Sequence, residues 1–311
     1  MNSAASGKPR IVLGYIVICL IWGTTWLAIK FATFTLPPFF SAGIRFTIAS
    51  LVILLVLKVR RYKYRFDFKQ LIFLLLVGLG SFSIQYGLVY WAEGRITSGL
   101  TAVTFAVMPF FVAVISKYFL KSERLSFWKA FGILLGFTGL VVIFGNDLHV
   151  GTMDRAEGIL AVVFSALCNA VVAVSVKKYG TDIDPIYINL IPMALGAVTL
   201  ILASLAFEDW HAIEFNTSTV LAMLYLSIFG SVIAFGIYYY LLKHISVVLL
   251  SMTSFITPVL ALISGAVFLG EKFPSGTLLG AALILVGILV MNTLGERNLN
   301  EARAVAKSDT E

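Results

Sequence analysis

The stretch Phe119-Leu120-Lys121-Ser122-Glu123 follows Pro109 by ten residues, and Phe268-Leu269-Gly270-Glu271 follows Pro258 by the same distance. The two stretches are 149 residues apart at the prolines and 148 apart at the glutamates. The match continues beyond them: Gly132, Leu135, Gly139 and Val142 recur as Gly280, Leu283, Gly287 and Val290. A period of this length indicates that the chain consists of two related halves that arose by duplication.

The composition identifies the solvent in which these halves fold. Hydrophobic residues make up 59% of the 311 residues and charged residues only 13%, about half of the ~25% found in soluble domains. A soluble globule of this composition would expose large apolar patches, so we predict an all-α integral membrane protein. Cys19 and Cys168 lie alone in apolar runs, and we therefore expect no disulfide, no metal and no cofactor.

Ten apolar runs are long enough to cross a bilayer core of about 30 Å, which needs about 20 residues of helix. They lie at 11–30, 37–57, 70–92, 98–117, 127–145, 157–177, 185–206, 219–242, 246–269 and 276–294. The first repeat then covers 11–145 and the second 157–294. Because five helices make each repeat, the second must enter the membrane inverted relative to the first. Residues 1–10 are predicted to form an N-terminal tail, and the polar residues 295–311 a disordered tail.

Basic residues fix the predicted orientation. Of the 23 Lys and Arg residues, Arg45 lies within a span and only Lys30, Arg95, Arg155 and Lys272 fall on one side, against eighteen on the other. The positive-inside rule places the eighteen, and both termini, in the cytoplasm. We expect a multi-pass plasma-membrane protein of a bacterial inner membrane, whose net charge of +7 reflects topology and the lipid bilayer rather than a nucleic-acid partner.

Several motifs resemble a known family. Ile21-Trp22-Gly23-Thr24-Thr25-Trp26 looks like the tryptophan–glycine–hydroxyl signature of EamA-like transporters in the drug/metabolite transporter superfamily. Pro37-Pro38 followed by Ala42-Gly43-Ile44-Arg45-Phe46, and the duplicated proline-to-glutamate stretch, are similar to the same family; Lys121-Ser122 departs from its usual leucine and glycine. The resemblance covers 11–294 and implies a ten-helix bundle that exports or exchanges amino acids and small metabolites.

Inverted repeats of this kind surround a midplane site and support alternating access, so polar residues inside the spans are candidates for that site. Arg45 lies eight residues beyond Pro37, about 12 Å into the membrane at ~1.5 Å per residue. Insertion of Arg at a helix centre costs about 2.5–3.5 kcal/mol, so Arg45 must face the interior or a wet cavity. It could bind a substrate carboxylate through its planar fork, or it could be structural and bind backbone carbonyls.

Aromatic, amide and hydroxyl side chains form a second group of substrate-binding candidates, because rings with a few amides suit a small amphipathic solute. They are Trp22, Thr25, Trp26, Gln85, Tyr86, Tyr90, Thr104, Asn169, Asn189, Tyr239 and Thr253. The alternative interpretation assigns the rings to an aromatic belt and the polar groups to helix packing. Pro109 and Pro258 are predicted hinges, since they occupy equivalent positions in the two repeats.

The predicted spans contain no deep Asp, Glu or His. Glu93 lies at the outer end of a span beside Arg95, where pairing would keep the carboxylate ionised. Proton coupling usually depends on a buried acid or histidine. We therefore predict a neutral or zwitterionic solute that moves by facilitated diffusion or exchange without obligatory proton coupling.

Other functions stay open at this point. A nucleotide-sugar carrier of the same superfamily would need more intramembrane cations than Arg45 to hold phosphates. A passive channel needs no coupling group, and a membrane-embedded transferase would need an acid, base or metal cluster that the scattered outer acids do not offer; we expect no enzyme. The GxxxG pairs Gly132/Gly136 and Gly276/Gly280 favour close helix packing, either within one chain or in a homodimer.

Overall fold

The computed structural model describes residues 3–62, 67–120, 127–150, 153–251 and 253–308, and this part of the chain contains helices and no strand. Ten long helices follow one another along the sequence. They are α1 Ser3–Thr33, α2 Pro38–Val59, α3 Phe68–Glu93, α4 Ser98–Phe119, α5 Phe127–Val150, α6 Met153–Tyr179, α7 Pro185–Phe207, α8 Thr217–His244, α9 Val247–Leu269 and α10 Ser275–Ser308. A single 3₁₀ turn, Trp210–Ala212, precedes α8.

Eight of these helices, all except α5 and α10, are long and apolar enough to cross a membrane. The apolar parts of α5 and α10 that the structure describes, Phe127–Ile143 and Ser275–Met291, are shorter. The chain is therefore a multi-pass helical membrane protein, whereas ten crossings remain a prediction.

Both ends of the chain are more helical than the sequence suggested. Helix α1 begins at Ser3, within the predicted tail 1–10, and α10 continues to Ser308, where a disordered tail over 295–311 was expected. The physical reason for the length of α10 is composition, because its last part, from residue 295 onward, is rich in Glu, Arg, Leu, Ala and Lys, which all have high helix propensity. Residues 309–311 lie outside the described part.

The two repeats are inverted relative to each other, as contacts between the equivalent helices α2 and α7 show. Glu208, just after α7, accepts hydrogen bonds from the backbone N–H groups of Phe39 (2.7 Å) and Phe40 (2.9 Å) at the start of α2. At the opposite ends of the same helices, the Tyr62 hydroxyl donates to Asp184, the residue before α7. Since each helix begins where its equivalent ends, the two run antiparallel.

Helices α5 and α10 cross in the same inverted manner. A Cβ on Gly132 would lie 2.4 Å from the carbonyl oxygen of Gly287, and one on Gly139 would lie 2.5 Å from that of Gly280. Gly280 is the repeat equivalent of Gly132, and Gly287 is that of Gly139, so the two contacts are related by the repeat. Only glycine permits such a close backbone approach. These glycines pack within one chain, so the predicted homodimer would need a different surface and stays a prediction.

Helices α3 and α8 each contain a π-helical segment at equivalent positions, Gly78–Gln85 and Ile228–Ile233. In each segment a serine hydroxyl donates to a carbonyl five residues earlier: Ser83 to Gly78 (3.3 Å) and Ser231 to Leu226 (2.9 Å). Such segments shift the helical register and free backbone carbonyls, often at functional sites. Hydropathy and helical periodicity do not predict them.

The two predicted hinge prolines occupy different backbone settings. A turn at Ala106 and Val107 interrupts α4, and Pro109 lies in the first turn of the helical segment Met108–Phe119 that follows. Pro258 lies inside the continuous segment Thr253–Leu269. Residue 252, six residues before Pro258, lies outside the described residues. The hinge function of both prolines stays a prediction.

We call the end of the bundle where α1 and α3 end the outer end, following the charge bias, and the opposite end the inner end. Helix α6 begins at the outer end, because Gly158 packs against Arg95 and Ile96. It therefore ends at the inner end, as the inverted equivalent of α1 must.

Candidate functional site

A central cavity lies between α1, α3 and α4 of the first repeat and their equivalents α6, α8 and α9 of the second. Eight of the predicted substrate-binding residues line it, together with further residues that the sequence analysis did not select. The predicted ones are Trp22, Thr25, Trp26, Gln85, Tyr86, Asn169, Tyr239 and Thr253. Both repeats thus contribute to one site on the axis that relates them.

Aromatic rings form much of the cavity wall. Trp22 and Trp26 lie one turn apart on the same face of α1, and the ring centroid of Trp22 is 5.3 Å from those of both Phe235 and Tyr238. The ring centroids of Trp26 and Phe105 are 5.6 Å apart. The indole N–H of Trp22 is directed to a carbonyl of the α8 π segment, so these rings present apolar faces to a solute.

The polar wall consists of amides and hydroxyls. Ser81 donates to the side-chain oxygen of Gln85 over 3.5 Å, which leaves the Gln85 amide N–H groups directed elsewhere. Thr25 and Thr253 donate to carbonyls of their own helices at 2.8 and 3.0 Å, so their oxygens can still accept. The Asn169 amide makes no hydrogen bond with the rest of the described chain. The cavity therefore offers both donors and acceptors, held on rigid helices.

Three further hydroxyls, from Ser251, Ser254 and Thr257, line the cavity on α9, and none was predicted. The available signal was their spacing: together with Thr253 they form a hydroxyl-rich run just ahead of Pro258. Tyr238 was missed as well, because a run of three tyrosines does not show which of them turns inward.

No Asp, Glu, Lys, Arg or His is among the residues that line this cavity. Nor do the described residues contain a group of three or more His, Cys, Asp or Glu that could hold a metal ion. A solute in the cavity would therefore meet dipoles and rings rather than full charges.

Arg45, the first predicted site residue, lies behind the cavity wall. Its guanidinium donates to the Ser231 hydroxyl (2.8 Å), the Tyr90 hydroxyl (3.2 Å) and the carbonyl of Gly230 (3.2 Å). The Tyr86 ring, with its centroid 4.9 Å from Arg45 Cζ, separates it from the cavity. With 1% of its surface exposed, Arg45 joins α2, α3 and α8, and its bonds favour the structural interpretation over substrate contact.

Three other predicted residues also lie outside the cavity. Tyr90 accepts from Arg45, and Asn189 directs its amide nitrogen to the carbonyl of Val232 in the α8 π segment at 3.5 Å. Thr104 is fully buried, and its hydroxyl has no hydrogen-bond partner among the described residues. Depth in a span predicted these positions, but the direction of each side chain depends on local helix register.

The predicted pairing of Glu93 with Arg95 is wrong. Arg95 stacks over the Trp91 ring, with 3.5 Å from Cζ to the centroid, and donates to the Trp91 carbonyl at 3.1 Å. The Glu93 side chain turns inward instead. It is fully buried, and neither carboxyl oxygen has a hydrogen-bond partner in the described structure.

Fold and cavity together define a class: a helical membrane protein built from two inverted repeats around one central cavity. The model of the EamA-like transporter family matches the chain twice, over residues 9–145 and 156–293. The chain therefore belongs to the EamA-like transporter family, which confirms the resemblance found in the sequence.

Known relatives agree with this assignment along nearly the whole chain. The uncharacterized transporter YoaV of Bacillus subtilis (strain 168) is 33% identical over 289 residues, 91% of this chain and 97% of that protein. The uncharacterized inner membrane transporter YedA of Escherichia coli (strain K12) is 28% identical over 280 residues, 89% of this chain and 88% of its own. A crystal structure with a TM-score of 0.70, 22% identity and coverage of 92% of this chain and 98% of its own shares the fold.

Proposed function

We propose that this transporter exports or exchanges amino acids or similar small neutral or zwitterionic metabolites by alternating access. The observation that carries this proposal is the central cavity, which both repeats build from aromatic, amide and hydroxyl groups without a charged residue. A net charge brought into such a cavity would lose its hydration without gaining a counter-charge. A zwitterion carries its own counter-charge, so dipolar groups can hold it.

Each part of the cavity has a counterpart in an amino acid. The rings of Trp22 and Phe235 suit an apolar side chain, while the amides of Gln85 and Asn169 can donate to a carboxylate. The hydroxyl oxygens of α9 can accept from an ammonium group. Few polar groups among many apolar ones is the usual pattern of a small-molecule site.

The inverted repeats supply the transport mechanism. Helices α1, α3 and α4 line the cavity together with their antiparallel equivalents α6, α8 and α9. If the two sets of helices exchanged conformations, a cavity open to one side of the membrane would become a cavity open to the other side. The cavity itself stays near the midplane, and only the ends open and close.

Ten crossings, a bacterial inner membrane and cytoplasmic termini belong to the same proposal, supported by the charge bias of the loops. Cysteine labelling tests it at Ser3→Cys and Ser308→Cys, after replacement of the native Cys19 and Cys168. We expect both positions to react only after the membrane is permeabilised. Labelling of either one by an impermeant reagent in intact cells would refute the topology.

The placement of Arg45 disfavours a nucleotide-sugar carrier, because phosphates would need cations in the cavity and Arg45 lies behind Tyr86. Counterflow in proteoliposomes separates a carrier from a channel. Vesicles loaded with unlabelled neutral amino acids should accumulate labelled solute transiently, and anionic or cationic analogues should compete poorly. Equilibration without overshoot would indicate a channel, and preference for charged solutes would overturn the assigned substrate class.

A further inference from the structure

The outer end of α3 carries a buried acid that the transport cavity does not use. Glu93 lies one helical turn beyond Val89, which lines the cavity, and it is 0% exposed. Both of its carboxyl oxygens lack a hydrogen-bond partner in the described structure. A buried polar group without a partner is uncommon in native proteins and requires a physical explanation.

The Lys30 side chain of α1 binds backbone carbonyls at the outer end of α3, and we call this contact the lysine clamp. The Lys30 ammonium donates to the backbone carbonyls of Glu93 and Ile96, the latter at 2.9 Å. At the inner end, Lys177 donates to the carbonyls of Leu242 (2.6 Å) and Ile245 (2.8 Å) at the end of α8. Lysine at a helix C-terminus satisfies otherwise unpaired carbonyls and complements the helix dipole.

The two clamps are repeat equivalents. Lys30 and Lys177 are 147 residues apart. Their backbone partners, Glu93 and Leu242 in one position and Ile96 and Ile245 in the other, are 149 residues apart, as the duplicated prolines are. The backbone contacts are the same at both ends, and the side chain at the clamped position differs. An acid occupies the outer clamp and a leucine occupies the inner one, so the clamp itself does not require the acid.

The charged and titratable groups around Glu93 give its carboxyl oxygens no hydrogen bond. Lys30 on α1 lies nearby, but its hydrogen bonds go to backbone carbonyls. Glu271, in the turn before α10, is a second acid in the same region and accepts from the N–H and hydroxyl of Ser98, both at 2.8 Å. Tyr90, on α3 itself, binds Arg45, and Arg95 turns away. An ionised Glu93 would therefore be a buried charge without a hydrogen bond, which is unfavourable.

We propose that Glu93 is a proton-binding site that controls closure of the outer end. When the outer end is closed, the side chain is a neutral carboxylic acid buried beside the Lys30 clamp. When the end opens, its O–H bond breaks and the proton passes to water outside; before the end closes again, the carboxylate takes a proton back from the same side. No proton crosses the membrane, so this site adds external pH sensitivity to an exchange mechanism that is not driven by protons.

The inference rests on the proposed alternating access, and a matched pair of variants tests it in right-side-out vesicles. Wild-type counterflow should fall several-fold as the external pH rises from mildly acidic to mildly alkaline, because ionised Glu93 holds the outer end open. Glu93→Gln, which mimics the neutral acid, should keep the acidic rate at every external pH. Leu242→Gln, the equivalent change at the inner clamp, should keep the wild-type pH profile.

A flat wild-type profile, or a Glu93→Gln protein with the wild-type profile, would overturn the proposal. If no solute shows counterflow, the proposed transport function fails, and infrared spectroscopy of the purified protein in lipid still decides whether Glu93 binds a proton. We expect a protonated-carboxyl band that is present in the wild type and in Glu271→Gln but absent from Glu93→Gln. Glu93→Leu, which copies the inner clamp, serves as a second variant if the glutamine form does not fold. An unchanged band in both Glu93 variants would contradict the assignment.

Discussion

The central cavity and the Arg45 network lie on opposite sides of one aromatic ring, that of Tyr86, yet they use opposite chemistry. The cavity is lined by rings, aliphatic side chains, amides and hydroxyls, without a charged residue. The network behind it contains a fully charged guanidinium bound to three oxygens of α3 and α8. The difference indicates that the buried charge of Arg45 holds helices together, while under the proposed function neutral groups recognise the solute.

The π segment of α8 makes this division possible. Because the helix register shifts at Ile228–Ile233, the carbonyl of Gly230 becomes available to both Arg45 and Trp22. One backbone oxygen thus links the structural network to the cavity wall. Buried Arg side chains in membranes typically bind backbone carbonyls or face a polar interior, and here the freed carbonyl supplies that partner.

The largest expected effect is on folding, from Arg45→Ala. Removal of the guanidinium leaves three buried oxygens without their charged donor, and we expect a loss of more than about 3 kcal/mol in stability. Arg45→Lys should recover only part of it, because a single ammonium cannot reach all three positions. Thermal unfolding in detergent measures both variants. An Arg45→Ala protein with wild-type stability and abolished transport would instead make Arg45 a substrate ligand. The distinction between a charged structural network and an uncharged cavity would then be wrong.

The next effect concerns transport alone, from Asn169→Ala in the cavity. Loss of the free amide should lower the apparent transport efficiency about tenfold, equivalent to ~1.4 kcal/mol of binding energy, with little change in unfolding temperature. Asn189→Ala is the matched control, because Asn189 is also an intramembrane amide but does not line the cavity. Counterflow rates of the two variants should differ clearly. Equal rates would show that the cavity amide has no special part in solute binding.

The smallest effect is expected from Tyr90→Phe. This change removes one neutral acceptor of Arg45 and keeps the ring, so we expect a loss of about 1 kcal/mol in stability. Because Tyr90 does not line the cavity, solute affinity should stay the same. A changed affinity in counterflow competition at unchanged stability would mean that the hydroxyl faces the solute pathway during transport.

Much of the fold could be predicted because membrane helices follow simple rules. Apolar runs of sufficient length indicated ten helices, and the duplicated prolines and glycines indicated two related halves. The odd number of helices in each half then indicated the inversion that α2 and α7 display. Eight of the predicted site residues line the cavity, and spacing of one turn along a helix explains why some of them, such as Trp22 and Trp26, share a face; their binding of a solute stays a prediction.

The remaining features depend on local register and tertiary contacts that periodicity does not describe. The π segments redirect Ser231 and Gly230 toward Arg45, and an ideal helix would not bring them there. Arg95 stacks on Trp91 and does not pair with Glu93, and the sequence alone does not distinguish between these two neighbours. Helix propensity, not hydropathy, accounts for the extension of α10 to Ser308.

Counterflow at equal pH tests the central claim most directly, namely that a neutral cavity exchanges small neutral or zwitterionic solutes without obligatory proton coupling. Proteoliposomes with the same mildly acidic buffer on both sides should accumulate labelled amino acid against unlabelled amino acid, and a protonophore should leave this overshoot intact. If an imposed pH gradient drives solute accumulation that the protonophore abolishes, transport is proton-coupled and the account is wrong.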